Sequence, residues 1–255
     1  MIMQTLPLQT GMVYGPVGSR RIGLSLGVNL SPITRKICSF NCVYCHYGWT
    51  DTLTMDADSE NLHFPDVNDL MRQLETYQVD HHLLDHITFS GNGEATMHPN
   101  FDQAVEVVTE FRDKAAPQAK TAILSNSTMA HKPDVRKALL KLERRFMKLD
   151  AGDEKTFRQI NRPSKAVDFN ALIDGLKALG NFETQTIFLD GNVSNASDEA
   201  VDAWINVLSH LRPNAAQIYT LVRPPADSHL KPISRDRLKE IAERGKAADL
   251  RMQIF

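Results

Sequence analysis

The chain is poor in cysteine, in aromatic residues and in net charge, and it has no long apolar run. Its 255 residues include only 3 cysteines, too few and too odd a number for a disulfide framework, so a reducing compartment is expected. With 29 Lys+Arg against 31 Asp+Glu the formal charge is −2, which gives no bulk attraction to nucleic acid or anionic lipid. No stretch approaches the roughly 18 apolar residues of a membrane span. The first charged residue is Arg20, and Gln4, Pro7, Gln9, Gly11 and Pro16 interrupt the segment before it. The basic start and apolar core of a secretory signal are therefore missing, and a cytoplasmic chain is expected. What remains, 42% hydrophobic and 24% charged, is a globular composition able to bury a core.

Apolar residues recur at helical spacing in five places: Val67, Leu70, Met71 and Leu74; Phe101, Ala104, Val105 and Val108; Val135, Ala138, Leu139 and Leu142; Phe169, Leu172, Ile173 and Leu176; and Val201, Trp204, Ile205 and Leu208. Gly180 is placed to end the fourth and Ser197 to cap the fifth. A shorter helix is expected after Ser234. Between the helices, 22–30, 86–90, 119–125, 145–150, 184–190 and 215–222 read as buried strands. Strand and helix alternate, which predicts a parallel sheet with crossover helices. Six such units are fewer than the eight of a closed barrel. The expectation is an α/β chain forming a partial (β/α)6 TIM-type barrel, as one domain over 1–255. Its core spans about 20–225 and a short C-terminal extension about 226–255.

In parallel α/β folds the working groups gather at the carboxyl ends of the strands. Gly91-Asn92-Gly93-Glu94 follows the second strand, Ser125-Asn126 ends the third, Asp150 the fourth, and Arg223 follows the sixth. All three cysteines fall in the loop after the first strand, in the segment Cys38-Ser39-Phe40-Asn41-Cys42-Val43-Tyr44-Cys45-His46. This C-x3-C-x2-C spacing admits four readings. Three unrelated buried thiols would not cluster so tightly. Zinc normally takes four ligands, and His46, adjacent to Cys45, closes a tetrahedron poorly. Cys42-Val43-Tyr44-Cys45-His46 matches a haem attachment sequence but leaves Cys38 unexplained. A [4Fe-4S] cluster held by three thiolates leaves one iron open to a small molecule.

The C-x3-C-x2-C loop, with Tyr44 just before its last cysteine, resembles the radical S-adenosylmethionine superfamily. The resemblance extends over nearly the whole chain. Gly15-Pro16-Val17-Gly18-Ser19-Arg20-Arg21, Phe89-Ser90-Gly91-Asn92-Gly93-Glu94-Ala95-Thr96, Lys148-Leu149-Asp150-Ala151-Gly152-Asp153 and Tyr219-Thr220-Leu221-Val222-Arg223-Pro224-Pro225 are similar to its Fe–S oxidoreductase branch, which includes wybutosine-synthesis-like enzymes.

The resemblance implies a metal-binding enzyme that uses a [4Fe-4S] cluster and S-adenosyl-L-methionine to generate a 5′-deoxyadenosyl radical for hydrogen abstraction. It implies Cys38, Cys42 and Cys45 as cluster ligands and Tyr44 as the aromatic packing near the adenine. Gly91, Asn92, Gly93 and Glu94 stand where a Gly-Gly-Glu motif binds the methionine amino group, with Asn92 in place of a glycine. Ser125, Asn126 and Asp150 stand where members contact ribose or carboxylate. Arg20, Arg21 and Arg223 are candidate anion-binding groups on the substrate side, because guanidinium clamps carboxylate or phosphate bidentately. The implied partners are an electron donor such as flavodoxin or ferredoxin and a small-molecule or protein substrate. The absence of further cysteines and of a basic surface disfavours nucleic acid. The alternatives are a non-catalytic iron–sulfur redox or iron sensor and an activase acting on a partner protein.

Overall fold

A computed structural model describes residues 5–56 and 62–255. Its main sheet has eight strands: β1 (Val13–Ser19), β2 (Gly23–Val28), β3 (His86–Phe89), β4 (Lys120–Ser125), β5 (Arg144–Lys148), β6 (Glu183–Ile187), β7 (Ala215–Tyr219) and β8 (Met252–Ile254). They lie side by side in chain order, with β1 antiparallel to β2 and every later pairing parallel. β1 and β8 are the two edges, so the sheet is open, as a partial barrel requires.

Strands β2–β7 are the six expected. The crossovers from β2 through to β8 carry α1 (Leu70–Thr76), α2 (Phe101–Ala115), α3 (Pro133–Lys141), α4 (Glu154–Asn161), α5 (Phe169–Leu179), α6 (Asp198–Leu211) and α7 (Arg235–Ala247). The anticipated caps are in place. The Ser197 side chain accepts from the Ala200 N–H, that of Ser234 accepts from Arg237, and Gly180 ends α5 at φ 55°. Of these eight strands and seven helices, three were not expected. β1 carries Gly15 and Pro16, which break a strand pattern but are tolerated on an edge. β8, three residues long, lies within the segment expected as an extension and pairs with β7. α4 follows the cap Asp153, whose side chain accepts from the Thr156 N–H.

The two faces of the sheet differ in chemistry. Outward residues such as Leu26, Val28, Ile87, Phe89, Ile123, Met147, Ala216 and Ile218 join the large core under the helices. Their alternates face the barrel interior. Deep inside, Ile22, Ala122 and Phe146 form a small separate apolar cluster with Leu124 against it. The rest of the inner lining is polar. Ser25 and Thr88 hydroxyls lie 2.7 Å apart, Tyr14 and Ser90 hydroxyls 2.5 Å apart, and Gln217 donates to Glu183 at 3.1 Å. Lys148, Gln185 and Tyr219 belong to the same lining.

Candidate functional site

The cysteine loop leaves the carboxyl end of β2 and begins in a two-residue strand, Ile37–Cys38, paired in parallel with Thr52–Leu53. Its ends are tied by Thr50, whose hydroxyl donates to the Phe40 carbonyl at 2.7 Å and whose N–H donates to the Asn41 side chain at 2.8 Å. The middle of the loop is stapled to the end of α4. The N–H of Asn41 donates to the Asn161 carbonyl at 3.0 Å and that of Val43 to the Ile160 carbonyl at 3.0 Å. These are carbonyls that a helix C-terminus leaves without intrahelical partners. The Phe40 ring meets Phe157 of α4 edge-on at 5.3 Å. An eight-residue helix that the periodicity does not announce thus sets the shape of the loop.

Cys38 and Cys42 are buried and Cys45 is half-buried. Each buried sulfur faces an amide donor at 3.5 Å, Asn126 Nδ2 for Cys38 and Asn161 Nδ2 for Cys42. Burial pushes the Cys38 thiol up to about 12 and the Cys42 thiol to about 11. Lys36, 3% exposed, donates from Nζ to the Gly48 carbonyl at 2.7 Å. Burial alone would lower its pKa, but the adjacent Cys45, Cys38 and Cys42 hold it above the ordinary lysine value. A buried ammonium therefore sits among the three sulfurs, and the sequence reading passed over it. Among the described residues no three His, Cys, Asp or Glu side chains converge on a point suited to one metal ion.

Tyr44 is tied by its hydroxyl to Asp150 Oδ2, which also accepts from Asn161 Nδ2 at 2.7 Å, while Asp150 Oδ1 accepts from the Ile187 N–H at 3.0 Å. The ring is thereby immobilised beside Cys42. The turn after β3 packs against the cysteine strand. A Cβ on Gly93 would stand 1.9 Å from the Ile37 carbonyl, and Gly91 has φ +134° with its missing Cβ 2.5 Å from Asn29 Oδ1. Asn92 is fully buried and spent on structure, donating to the Gln9 and Pro32 carbonyls at 2.9 and 3.1 Å and accepting from the Gln9 N–H at 2.7 Å. Only its backbone remains to meet a ligand.

Glu94 is 2% exposed and braces the ends of β3 and β4. Its Oε1 accepts from the Thr96 N–H, the Thr96 hydroxyl and the Ser125 hydroxyl at 3.2, 2.6 and 2.9 Å, and its Oε2 from the Asn126 N–H at 2.6 Å. Burial raises its pKa, and these four donors work in the opposite direction. One acceptor position on Oε2 is left for a further donor. Ser125 therefore serves Glu94, while Asn126 links Glu94 to Cys38.

The arginines separate. Arg20 is exposed at the β1–β2 turn, at the amino end of β2. Arg21 reaches across the barrel interior, donating to Gln185 Oε1 at 3.0 Å with its guanidinium 4.7 Å above the Tyr219 ring. Arg223 is exposed just past β7, and its charge acts on His46 and Tyr47. Trp49 stacks under Arg162 at 4.9 Å. Lys148, Gln185 and Tyr219 were not singled out beforehand. The signal was the alternation along β5, where Phe146 and Lys148 share the inner face.

The Radical SAM superfamily model matches residues 33–198, and the chain belongs to that superfamily. A UPF0026 protein of Methanocaldococcus jannaschii is 32% identical over 228 residues, covering 87% of this chain and 67% of the relative. Among solved structures, Streptococcus suis SuiB bound to S-adenosylmethionine is similar with TM-score 0.64 and 14% identity, over 90% of this chain and 50% of that one. The structure of TYW1 with a lysine-pyruvate adduct bound is similar with TM-score 0.61 and 14% identity, over 88% of this chain and 73% of that one. These two likenesses concern the fold. Members of the superfamily are enzymes that use a [4Fe-4S] cluster and S-adenosylmethionine, so the haem, zinc and non-catalytic sensor readings find no support. No helix among the described residues is long and apolar enough to cross a membrane.

Proposed function

We propose that Cys38, Cys42 and Cys45 carry the [4Fe-4S] cluster of a radical S-adenosylmethionine enzyme, with the cofactor lying between Tyr44 and the Gly91–Glu94 turn. The observation that carries this reading is the three-cysteine loop held on the barrel rim, with an amide donor aimed at each of its two buried sulfurs. The residues suit such a group. Three thiols and no fourth leave one position for a small-molecule ligand, Lys36 offsets the negative charge of thiolates, and the Asn126 and Asn161 amides donate to them. When bound and reduced, the cluster supplies one electron that cleaves the sulfonium of S-adenosylmethionine, giving a 5′-deoxyadenosyl radical that abstracts hydrogen from substrate.

The chain's own contribution is placement and shielding. Asp150 and Asn161 fix the Tyr44 ring as a flat wall for an adenine. The backbone of Gly91, Asn92 and Gly93 offers carbonyls, and Glu94 a residual acceptor, to an ammonium group. Ser125, Asn126 and Asp150 support this wall through the hydrogen bonds already described, and the interior of β2–β7 encloses the substrate. We read residues 1–255 as one catalytic unit, which the unbroken sheet from β1 to β8 supports, working with an electron donor such as flavodoxin or ferredoxin. Of the three candidate arginines, Arg21 and Arg223 act on His46, beside Cys45, and we keep these two on the substrate side.

Anaerobic reconstitution with iron and sulfide should load about four irons per chain. Reduction with dithionite in the presence of S-adenosylmethionine should then release 5′-deoxyadenosine. A loaded protein that releases none, or a Cys42→Ala variant that releases as much as the parent, rejects the reading.

A further inference from the structure

We propose that the barrel interior holds an oxyanion subsite for the substrate, in which the carboxylate or phosphate of a small molecule sits between the Lys148 ammonium and the Arg21 guanidinium, beside Tyr219. Naming that ligand as substrate rests on the radical-enzyme reading; the subsite itself rests on the following geometry.

Lys148 points inward from the end of β5, with its Nζ 5.0 Å from the centre of the Tyr44 ring. Among the described residues this ammonium has neither a hydrogen-bond acceptor nor an ion-pair partner. The nearby carboxylate, Asp150, has its oxygens taken by the Tyr44 hydroxyl, the Asn161 amide and the Ile187 N–H. Arg21 comes from the opposite wall and uses one N–H on Gln185, leaving the rest of its five-donor fork unassigned. Burial works against the Lys148 ammonium, and Asp150, Tyr219 and Cys42 nearby hold its pKa above the ordinary lysine value, with Arg21 opposing them.

The other inner cations are accounted for. Arg144 is paired with Glu183 at 2.5 Å, and Lys36 is committed to Gly48 and the cysteines. Two cationic side chains held in one half-buried interior, each with hydrogen-bond donors unassigned, suit an anion between them. Arg223 and the half-buried His46, whose Nδ1 has no hydrogen-bond partner, add positive potential and a donor or acceptor at the same mouth. The geometry suits a compact group. A strand-lined interior with two cations offers no basic stripe along which a nucleic-acid backbone could run.

The test titrates inorganic phosphate and acetate, separately and at constant ionic strength, into the anaerobically loaded protein with S-adenosylmethionine present, followed by calorimetry. Saturable binding is expected, and whichever probe binds tighter identifies the group. Lys148→Met and Arg21→Gln should each weaken it roughly ten- to a hundredfold, the effect of losing one charge-assisted hydrogen bond. Lys148→Arg, which restores the charge, should stay within about threefold of the parent. Circular dichroism melts of each variant establish that it is folded. The subsite is overturned if neither probe saturates or if the folded variants bind as the parent does. It is equally overturned if S-adenosylmethionine affinity falls in the same proportion, because the cations would then serve the cofactor's own carboxylate. Repeating the titration on the iron-free chain separates the two readings. Absent 5′-deoxyadenosine with intact anion binding rejects the radical chemistry alone, and the converse rejects the subsite alone.

Discussion

Replacing Glu94 with glutamine tests whether the carboxylate braces the rim as its contacts indicate. The side chain is isosteric, but one oxygen becomes an NH2 in a cradle built of donors. If the new nitrogen faces Asn126, two N–H groups confront each other across what was a 2.6 Å hydrogen bond. If it faces the other way, the Thr96 and Ser125 hydroxyls can turn to accept, and only the 3.2 Å bond from the Thr96 N–H is lost. The second orientation is therefore favoured. It leaves one buried donor unsatisfied, at a cost of about 1–3 kcal/mol. The remaining bonds weaken as they lose their ionic acceptor, while removal of a buried charge offsets part of that loss. The net expectation is about 1–3 kcal/mol, or a melting temperature lowered by roughly 3–10 °C for a chain of this size. Glu94→Ala, which strands all four donors, should lose more. Urea and thermal melts of the iron-free chain under reducing conditions measure both. A Glu94→Gln midpoint equal to the parent's, or equal losses in the two variants, would refute the four-donor arrangement.

Gly93→Ala should destabilise by about 1–3 kcal/mol, since its Cβ would fall 1.9 Å from the Ile37 carbonyl and force the strand bearing Cys38 to move. Iron content after reconstitution should drop with it, and an alanine variant that loads iron normally contradicts that packing. His98 is held neutral: its Nδ1 accepts from the Asn100 N–H at 3.1 Å while Nε2 donates to the Pro65 carbonyl at 2.8 Å, and burial keeps its pKa below the usual histidine value. The unfolded chain protonates first, near pH 6.5, so this contribution is full above that pH and is lost as pH falls toward the lowered folded-state value. The stability gap between the parent and His98→Gln should narrow on acidification by at most about 1.4 kcal/mol per pH unit. Melts at pH 7.5 and 5.5 decide it, and a constant gap counts against the buried neutral ring.

Periodicity made the six inner strands and most helices legible, because each buries an apolar face whose spacing is written along the chain. The cysteine spacing and the Gly91–Glu94 turn were equally plain. β1 was hidden because Gly15 and Pro16 interrupt it, and β8 because three residues carry no period. α4 was hidden for another reason. It is mostly polar, and what it gives the cysteine loop is its terminal carbonyls, which no side-chain pattern reports. Lys148 opens a segment that carries the resemblance yet has no role there, because between Met147 and Leu149 it stands in a run that reads as wholly buried although its alternate face lines the interior. The inward turn of Asn92 and Glu94 depends on donors from Gln9, Thr96, Ser125 and Asn126, whose convergence appears only in three dimensions.

The staple between α4 and the cysteine loop bears on how the protein acquires its metal. Loop N–H groups at Asn41 and Val43 and side-chain bonds at Thr50 hold the thiol-bearing segment through contacts that involve no iron. Folding and metallation are then expected to be separable, unlike those of a zinc finger, whose ligands have no order until the ion arrives, and the iron-free chain should still melt cooperatively. Stripping the iron by oxidation should then leave the main thermal transition in place. Its lifetime in a cell would then be governed by the core beneath the helices, and its working fraction by the supply of iron and sulfide.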